Sequence, residues 1–239
     1  MSAHQEESTW NIVAHGDRCL VIRFGSGIDV ATGRRCAVAA NALRNAAIRG
    51  VSDIVPTFDT VAVHYLPARF AANTSRRHLE IEIERVLHRT DLDDPHATGG
   101  SVIKIPVCYG GEYGPDLSDV AQRIGVSEDE VVALHSGTPL HVFMLGFAPG
   151  APFTGVLDER FALPRRATPR TAIPAGSVGV ANRQTFIYPN QLPGGWNIIG
   201  RTPLTLFDPM REPATTVAPG DSVQFVPISE QEFKNWQQA

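Results

Sequence analysis

Proline is unevenly spread along this chain, and that spread limits its fold more than any other feature. Residues 146–220, under a third of the 239, hold 11 of the 18 prolines. Proline lacks a backbone N–H and its ring clashes with the preceding helical turn, so this stretch cannot be helical. It reads as short strands, edges and turns, as in a sandwich or barrel. The first ninety residues have another rhythm. Ile12–Ala14 and Cys19–Phe24 read as strands joined by His15-Gly16-Asp17. Cys36, Ala39, Leu43, Ala46 and Ala47 then recur at helical spacing, predicting a helix from about Asp29 to Arg49 with Gly50 as its C-cap. Strands Ser52–Pro56 and Thr60–Leu66 precede a second helix, about Ser75–Arg89, with Leu79, Ile83, Val86 and Leu87 on one face.

The order β-β-α-β-β-α implies a small sheet with both helices on one side, an α+β layer. The expected organisation is an N-terminal α+β domain over 1–92, a polar, breaker-rich linker over 93–100, and a β-rich domain over 101–239. In the latter, Val102–Cys108 reads as a strand. Asp116 and Ser127 look like helix N-caps, Ser127 with Glu130 as a capping box, and the two short helices end near Gly125 and His135. Everything from Leu140 onward reads as β, closing with Ser222–Pro227.

With 43% hydrophobic and 19% charged residues, the chain can bury a real core. A net charge of −4 argues against nucleic acid and against a polybasic membrane surface. The longest near-apolar run, Leu140–Ala148, is far short of the roughly 20 residues of a bilayer span. Nothing in Met1–Trp10 resembles an export signal, so the expectation is a soluble cytoplasmic protein. Cys19, Cys36 and Cys108 form no CxxC, which disfavours a disulfide framework or structural zinc.

Phosphate-loop, nucleophile-elbow and HExxH signatures are absent. His135 and His141 lack a nearby acid or thiol, and Cys108 reads as a buried strand cysteine rather than a nucleophile. No metal site is expected. The informative feature is arginine: His135–Glu212 holds seven arginines against four acids, a local +3. Guanidinium forks suit carboxylate and phosphate, and here rigid turns would hold them in place. Gly194-Gly195 would let backbone approach a ligand. An anion pocket and a set of solvated or interface arginines both remain open, and Tyr188 and Trp196 serve equally as core or pocket wall.

The blocks GFAPG, PRRATPR, IPAGSVGVA, IYPNQLPGGWNIIGRT and PGDSVQF, with IPVCYGGEYGPDL upstream, resemble the family of B-type 5-oxoprolinase subunits. The same family goes by allophanate hydrolase subunit 1 or KipI, and the likeness runs over roughly residues 10–228. It implies a cyclophilin-like β-barrel for the second domain. It also implies a C-type partner (KipA-type, or allophanate hydrolase subunit 2) and a third protein of LamB/YcsF type. The assembled set resembles an ATP-dependent 5-oxoprolinase, with magnesium accompanying the ATP; a site on this chain, on the partner or at the seam between them stays open. The alternatives the resemblance carries are an allophanate- or urea-related amide hydrolase and an inhibitor of a sporulation histidine kinase. Peptidyl-prolyl isomerase activity is suggested by fold alone.

On this reading Arg166, Arg170 and Arg201 are the catalytic candidates, for a phosphoryl group or a substrate carboxylate. The binding candidates are Phe147, Pro149, Gly150, Ser177, Tyr188, Gly194, Gly195, Trp196 and Thr202. After Pro149-Gly150 the family usually continues with phenylalanine, tyrosine, an apolar residue and two glycines. In this chain Ala151 replaces the first ring, Phe153 lacks the tyrosine hydroxyl and Val156 replaces a glycine.

Overall fold

The computed structural model describes residues 10–70, 75–94 and 100–236. It divides into two units, Met1–Gly99 and Gly100–Ala239. Most of the expected linker, residues 95–99, lies outside the described residues.

The first unit contains β1 (Asn11–Ala14), β2 (Cys19–Arg23), α1 (Val30–Asn45), β3 (Val51–Pro56), β4 (Thr60–Tyr65) and α2 (Arg76–His88). The strands form an antiparallel sheet in the order β1-β2-β4-β3. Alternation sets its buried face: Leu20 and Ile22 on β2, Val61 and Val63 on β4, all fully buried. Ala39, Ala40 and Leu43 of α1 and Leu79, Ile83 and Leu87 of α2 join them in one core. Small residues on α1 bring that helix close to the sheet. Asp29 caps it by accepting from the Thr32 amide at 2.8 Å. The helix stops earlier than its periodicity implies, with Ala46 as C-cap and Ala47 left-handed at φ 46°. Gly50 does not cap it. It is left-handed at the entry to β3, beside the Phe70 ring that a Cβ would strike.

The second unit opens with β5 (Val102–Tyr109), α3 (Leu117–Ile124) and α4 (Glu128–Ser136). Strands β6 (Leu140–Leu145), β7 (Pro152–Gly155), β8 (Arg170–Ile173), β9 (Ser177–Ala181), β10 (Gln184–Ile187), β11 (Leu192–Gly194), β12 (Asn197–Arg201) and β13 (Ser222–Pro227) follow. Seven close into a barrel in the order β10-β7-β6-β13-β5-β12-β9, and β8 pairs with β11 as a separate ribbon. Within the barrel β5 and β13 are parallel, Val102 opposite Ser222 through Val107 opposite Pro227. Valines and isoleucines such as Ile105, Val107, Val178, Val180 and Ile199 fill the core, with Leu117, Val120 and Val131 from α3 and α4. The fold class is thus α+β followed by a barrel.

Two local expectations change. Ser127 accepts from the Glu130 amide at 3.2 Å, but the Glu130 carboxylate pairs with Arg160 instead of completing a capping box. Nor is β13 the last described element: α5 (Glu230–Trp236) follows it. Its start is a true capping box, with Ser229 and Glu232 bonding each other's amides at 3.2 and 2.7 Å. Among the described residues no helix is long and apolar enough to cross a membrane.

His135 is fully buried, between Tyr109 and Thr185. Thr185 Oγ1 donates to the Gly179 carbonyl at 3.1 Å, so it accepts from His135 Nε2–H at 3.0 Å. Nδ1 then accepts from the Tyr109 hydroxyl at 2.8 Å. The ring is therefore neutral, and burial pushes its pKa down to about 3. An unfolded histidine takes up its proton near pH 6.5, so stability present above that value is lost as pH falls toward the folded pKa. The expected slope from this residue is up to about 1.4 kcal/mol per pH unit below pH 6.5. Urea unfolding between pH 7 and 5 measures it, and His135→Gln should flatten the curve. An unchanged slope in that variant contradicts the assignment.

Candidate functional site

The site is built on the outer face of the barrel. Phe153, Phe186, Gly179 and Ile198 lie in register across β7, β10, β9 and β12. Gly179 is the gap in this row: a Cβ there would come within 2.6 Å of Trp196 Cβ. Its absence lets Trp196 lie against the sheet, stacked on Phe186 with centroids 5.4 Å apart and planes 17° apart. Phe153 tilts against Phe186 at 4.8 Å, and Tyr188 meets its edge at 4.9 Å. Phe147 stands at the mouth, 68% exposed, with a left-handed backbone at φ 70°. For a phenylalanine that conformation is strained.

These rings, with Gly194-Gly195, Pro169, Pro193, Arg165 and Arg166, enclose a cavity of about 330 Å³. The Arg166 amide donates to the Gly195 carbonyl at 2.7 Å, tying the arginine loop to the glycine turn. Gly194 passes over the buried Tyr188 ring. Burial pushes the Tyr188 phenol up to about 12, with the nearby Trp196 amide and the Arg165 and Arg170 charges pulling the other way. The hydroxyl completes no hydrogen bond among the described residues.

Behind the arginine loop lies Asp116, 4% exposed. It occupies the N-cap position of α3, yet its carboxylate caps nothing there. Arg170 grips it with two guanidinium nitrogens at 2.7 and 2.8 Å, Arg166 with one at 2.9 Å, and the Ile198 amide donates at 2.7 Å. Burial raises its pKa, but the Arg170 and Ile198 hydrogen bonds and the two arginine charges outweigh this and hold it below the usual carboxylate value. One buried acid thus fixes two arginines.

Of the residues singled out from sequence, Phe147, Arg166, Tyr188, Gly194, Gly195 and Trp196 line the cavity. Arg170, on β8, supports it through Asp116 without lining it. Arg201 lies elsewhere, its guanidinium 5.6 Å over the Tyr113 ring and its backbone opposite Cys108 and Ser177. Ser177 is fully buried, and its Oγ has no hydrogen-bond partner among the described residues. Thr202 is buried and accepts from the Leu204 amide at 3.3 Å. Gly150, after Pro149, is left-handed and packs on Phe207 and Leu206. Asp116 reads from sequence only as a helix cap, and nothing in the sequence marks Phe186 as a wall, whereas Arg165 and Phe153 stand in the stretches that sequence points to. The local excess of arginine was a signal that a buried acid had to be found. Burial raises the Cys108 pKa, away from thiolate chemistry, and no three His, Cys, Asp or Glu converge as a metal site among the described residues.

The family described as carboxyltransferase domain, subdomain C and D, matches residues 10–217. The B-type subunit of 5-oxoprolinase from Bacillus subtilis (strain 168) is 39% identical over 226 residues, covering 91% of this chain and 92% of that protein. This chain belongs to the family of B-type 5-oxoprolinase subunits. Among solved structures, TTHA0988 superposes with a TM-score of 0.76 at 37% identity, over 89% of this chain and 40% of that one. The Kluyveromyces lactis urea amidolyase matches with a TM-score of 0.71 over 95% of this chain and 15% of its own; at 17% identity the two share a fold. Of the departures noted from sequence, one falls at the cavity, and Val156 does not line it. Ala151 is buried in the aromatic cluster, and Phe153 lines the cavity as a ring without a hydroxyl.

Proposed function

We propose that this chain is a subunit of an ATP-dependent 5-oxoprolinase, opening the lactam of 5-oxo-L-proline to L-glutamate. It would act with a C-type partner of the KipA kind and a LamB/YcsF-type protein in the cytoplasm, and be inactive alone. Family membership supports the reaction class. The observation that carries the reading is the cavity itself, flat aromatic walls ending at two adjacent arginines. That shape and charge suit a small planar ring bearing a carboxylate.

A five-membered lactam resists hydrolysis, so its oxygen must first become part of a leaving group. Attack of that oxygen on the γ-phosphorus releases ADP. Water then adds at the ring carbon, the C–N bond breaks with the nitrogen protonated, and a second water releases phosphate from the acyl phosphate. The chain's own residues serve binding and electrostatics: Trp196 and Phe186 orient the ring, and Arg166, held by Asp116, faces the negative charge. Magnesium enters with the ATP, at a seam with the partner, where association excludes water.

The test is ATP-dependent glutamate release from 5-oxo-L-proline by the three proteins together, each omitted in turn. Turnover is expected in the complete mixture alone. Undiminished turnover without this chain overturns the reading. Turnover of allophanate or a urea-derived amide in place of the lactam would move the substrate while keeping the enzyme.

A further inference from the structure

The arginines around the cavity are not equally free to meet a ligand. Arg166 and Arg170 share the Asp116 carboxylate, which accepts three hydrogen bonds from them and a fourth from the Ile198 amide. Their donors are partly occupied, and one of their two charges is neutralised at contact distance. Arg201 does not line the cavity. Arg165 differs from all three. It lines the cavity, is solvent-exposed, and has no ion pair or hydrogen bond among the described residues. Its guanidinium carbon sits 4.9 Å from the centre of the Trp196 ring. This cation–π contact uses none of the guanidinium N–H donors, so the fork remains available for a planar anion.

The Trp196 platform is itself fixed from below, by Phe186 and by the space left at Gly179. Arg165 is thereby positioned through an aromatic stack, and Arg166 through a buried acid. The two neighbouring arginines present different groups to one cavity: a free fork and an anchored one.

We propose that Arg165 is the residue that takes the carboxylate of the ligand, and that the ligand class is a small planar ring bearing a single carboxylate. Arg166 and Arg170 then set the field and the shape of the cavity floor. Naming 5-oxo-L-proline as that ligand rests on the function proposed above. Naming Arg165 as the clamp does not.

The experiment uses the full chain with Trp10→Phe and Trp236→Phe, which leaves Trp196 as the one tryptophan of the three. Its fluorescence is titrated with 5-oxo-L-proline, with 2-pyrrolidinone (the same ring without the carboxylate) and with acetate. Saturable binding of 5-oxo-L-proline is expected, with both partial ligands much weaker. Arg165→Gln should weaken 5-oxo-L-proline about 10- to 100-fold, the range for losing a charge-assisted hydrogen bond, and leave 2-pyrrolidinone unchanged. Arg165→Lys should restore part of the loss. In the three-protein complex, Arg165→Gln should raise KM far more than it lowers kcat.

Equal affinity of Arg165→Gln and the parent for 5-oxo-L-proline overturns the proposal. So does a complex that turns over 5-oxo-L-proline with no response at Trp196, although the proposed function would then stand. The converse separates the two the other way: no lactam turnover, but Arg165-dependent binding of ring carboxylates, supports the clamp and removes the function.

Discussion

Replacing Asp116 by alanine is expected to cost the barrel unit about 3 kcal/mol, a large share of the stability of an ordinary domain. The carboxylate is 4% exposed and accepts hydrogen bonds from Arg166, Arg170 and the Ile198 amide. Its removal leaves two guanidinium groups facing each other and an amide without its side-chain acceptor. Breaking a buried ion pair by deleting one partner costs roughly 3–5 kcal/mol. Here the arginine side chains are 35% and 31% exposed, so water screens part of the repulsion, and the lower end applies. Urea unfolding of the parent and variant gives the difference directly. Adding Arg170→Ala to Asp116→Ala should recover part of the loss, because it removes one of the repelling charges. A double variant less stable than Asp116→Ala would show that the acid acts through packing rather than charge.

A methyl group at position 194 should be nearly as damaging, for a steric reason. In Gly194→Ala the new Cβ would lie 2.9 Å from Tyr188 Cζ and 3.1 Å from Cε1, with the hydroxyl nearer still. Tyr188 is fully buried and its ring meets Phe186 edge-on, so it has little room to retreat. Overpacking of this kind costs about 3 kcal/mol. Because the same turn borders the cavity, binding should be lost with it. The check is a double-mutant cycle with Tyr188→Phe. Tyr188→Phe removes the nearest of these contacts and should recover part of the Gly194→Ala loss, while the ring carbons at 2.9 and 3.1 Å keep the remainder. Strict additivity of the two changes would mean that the clash lies elsewhere.

Features written in local pattern could be read without a structure. Proline density between 146 and 220 required a β-rich unit, and the spacing of Leu79, Ile83 and Leu87 required a helix face. The glycine and aromatic run from Tyr188 to Trp196 does border a cavity, and Arg166 does reach it. What escaped reading depends on contacts between distant parts of the chain. Asp116 is 50 residues from Arg166 and 54 from Arg170, and nothing near it in sequence distinguishes a helix cap from an ion-pair anchor. Arg165 and Arg166 are neighbours with opposite fates, decided by a tryptophan and an acid far along the chain. Arg201 shares their residue type and has similar neighbouring turns in sequence, but β12 carries it to Tyr113 instead. The Ser229–Glu232 capping box of α5 has the Ser-x-x-Glu spacing of a helix start, at odds with the β character of everything before it.

Because β13 sits between β5 and β6, the barrel cannot close until residues 222–227 have been made. The partners of this strand on β5 are 120 residues earlier in the chain. Until residues 222–227 have left the ribosome, the other six strands can form at most an open sheet with two raw edges, β5 and β6. Such edges are ready templates for pairing with another chain. Closure must also await a contact of very long sequence separation, which slows folding. The first unit, whose sheet and helices all lie before residue 89, can finish long before. During synthesis the barrel unit therefore passes through a stage in which the unpaired edges of β5 and β6 are open to another chain.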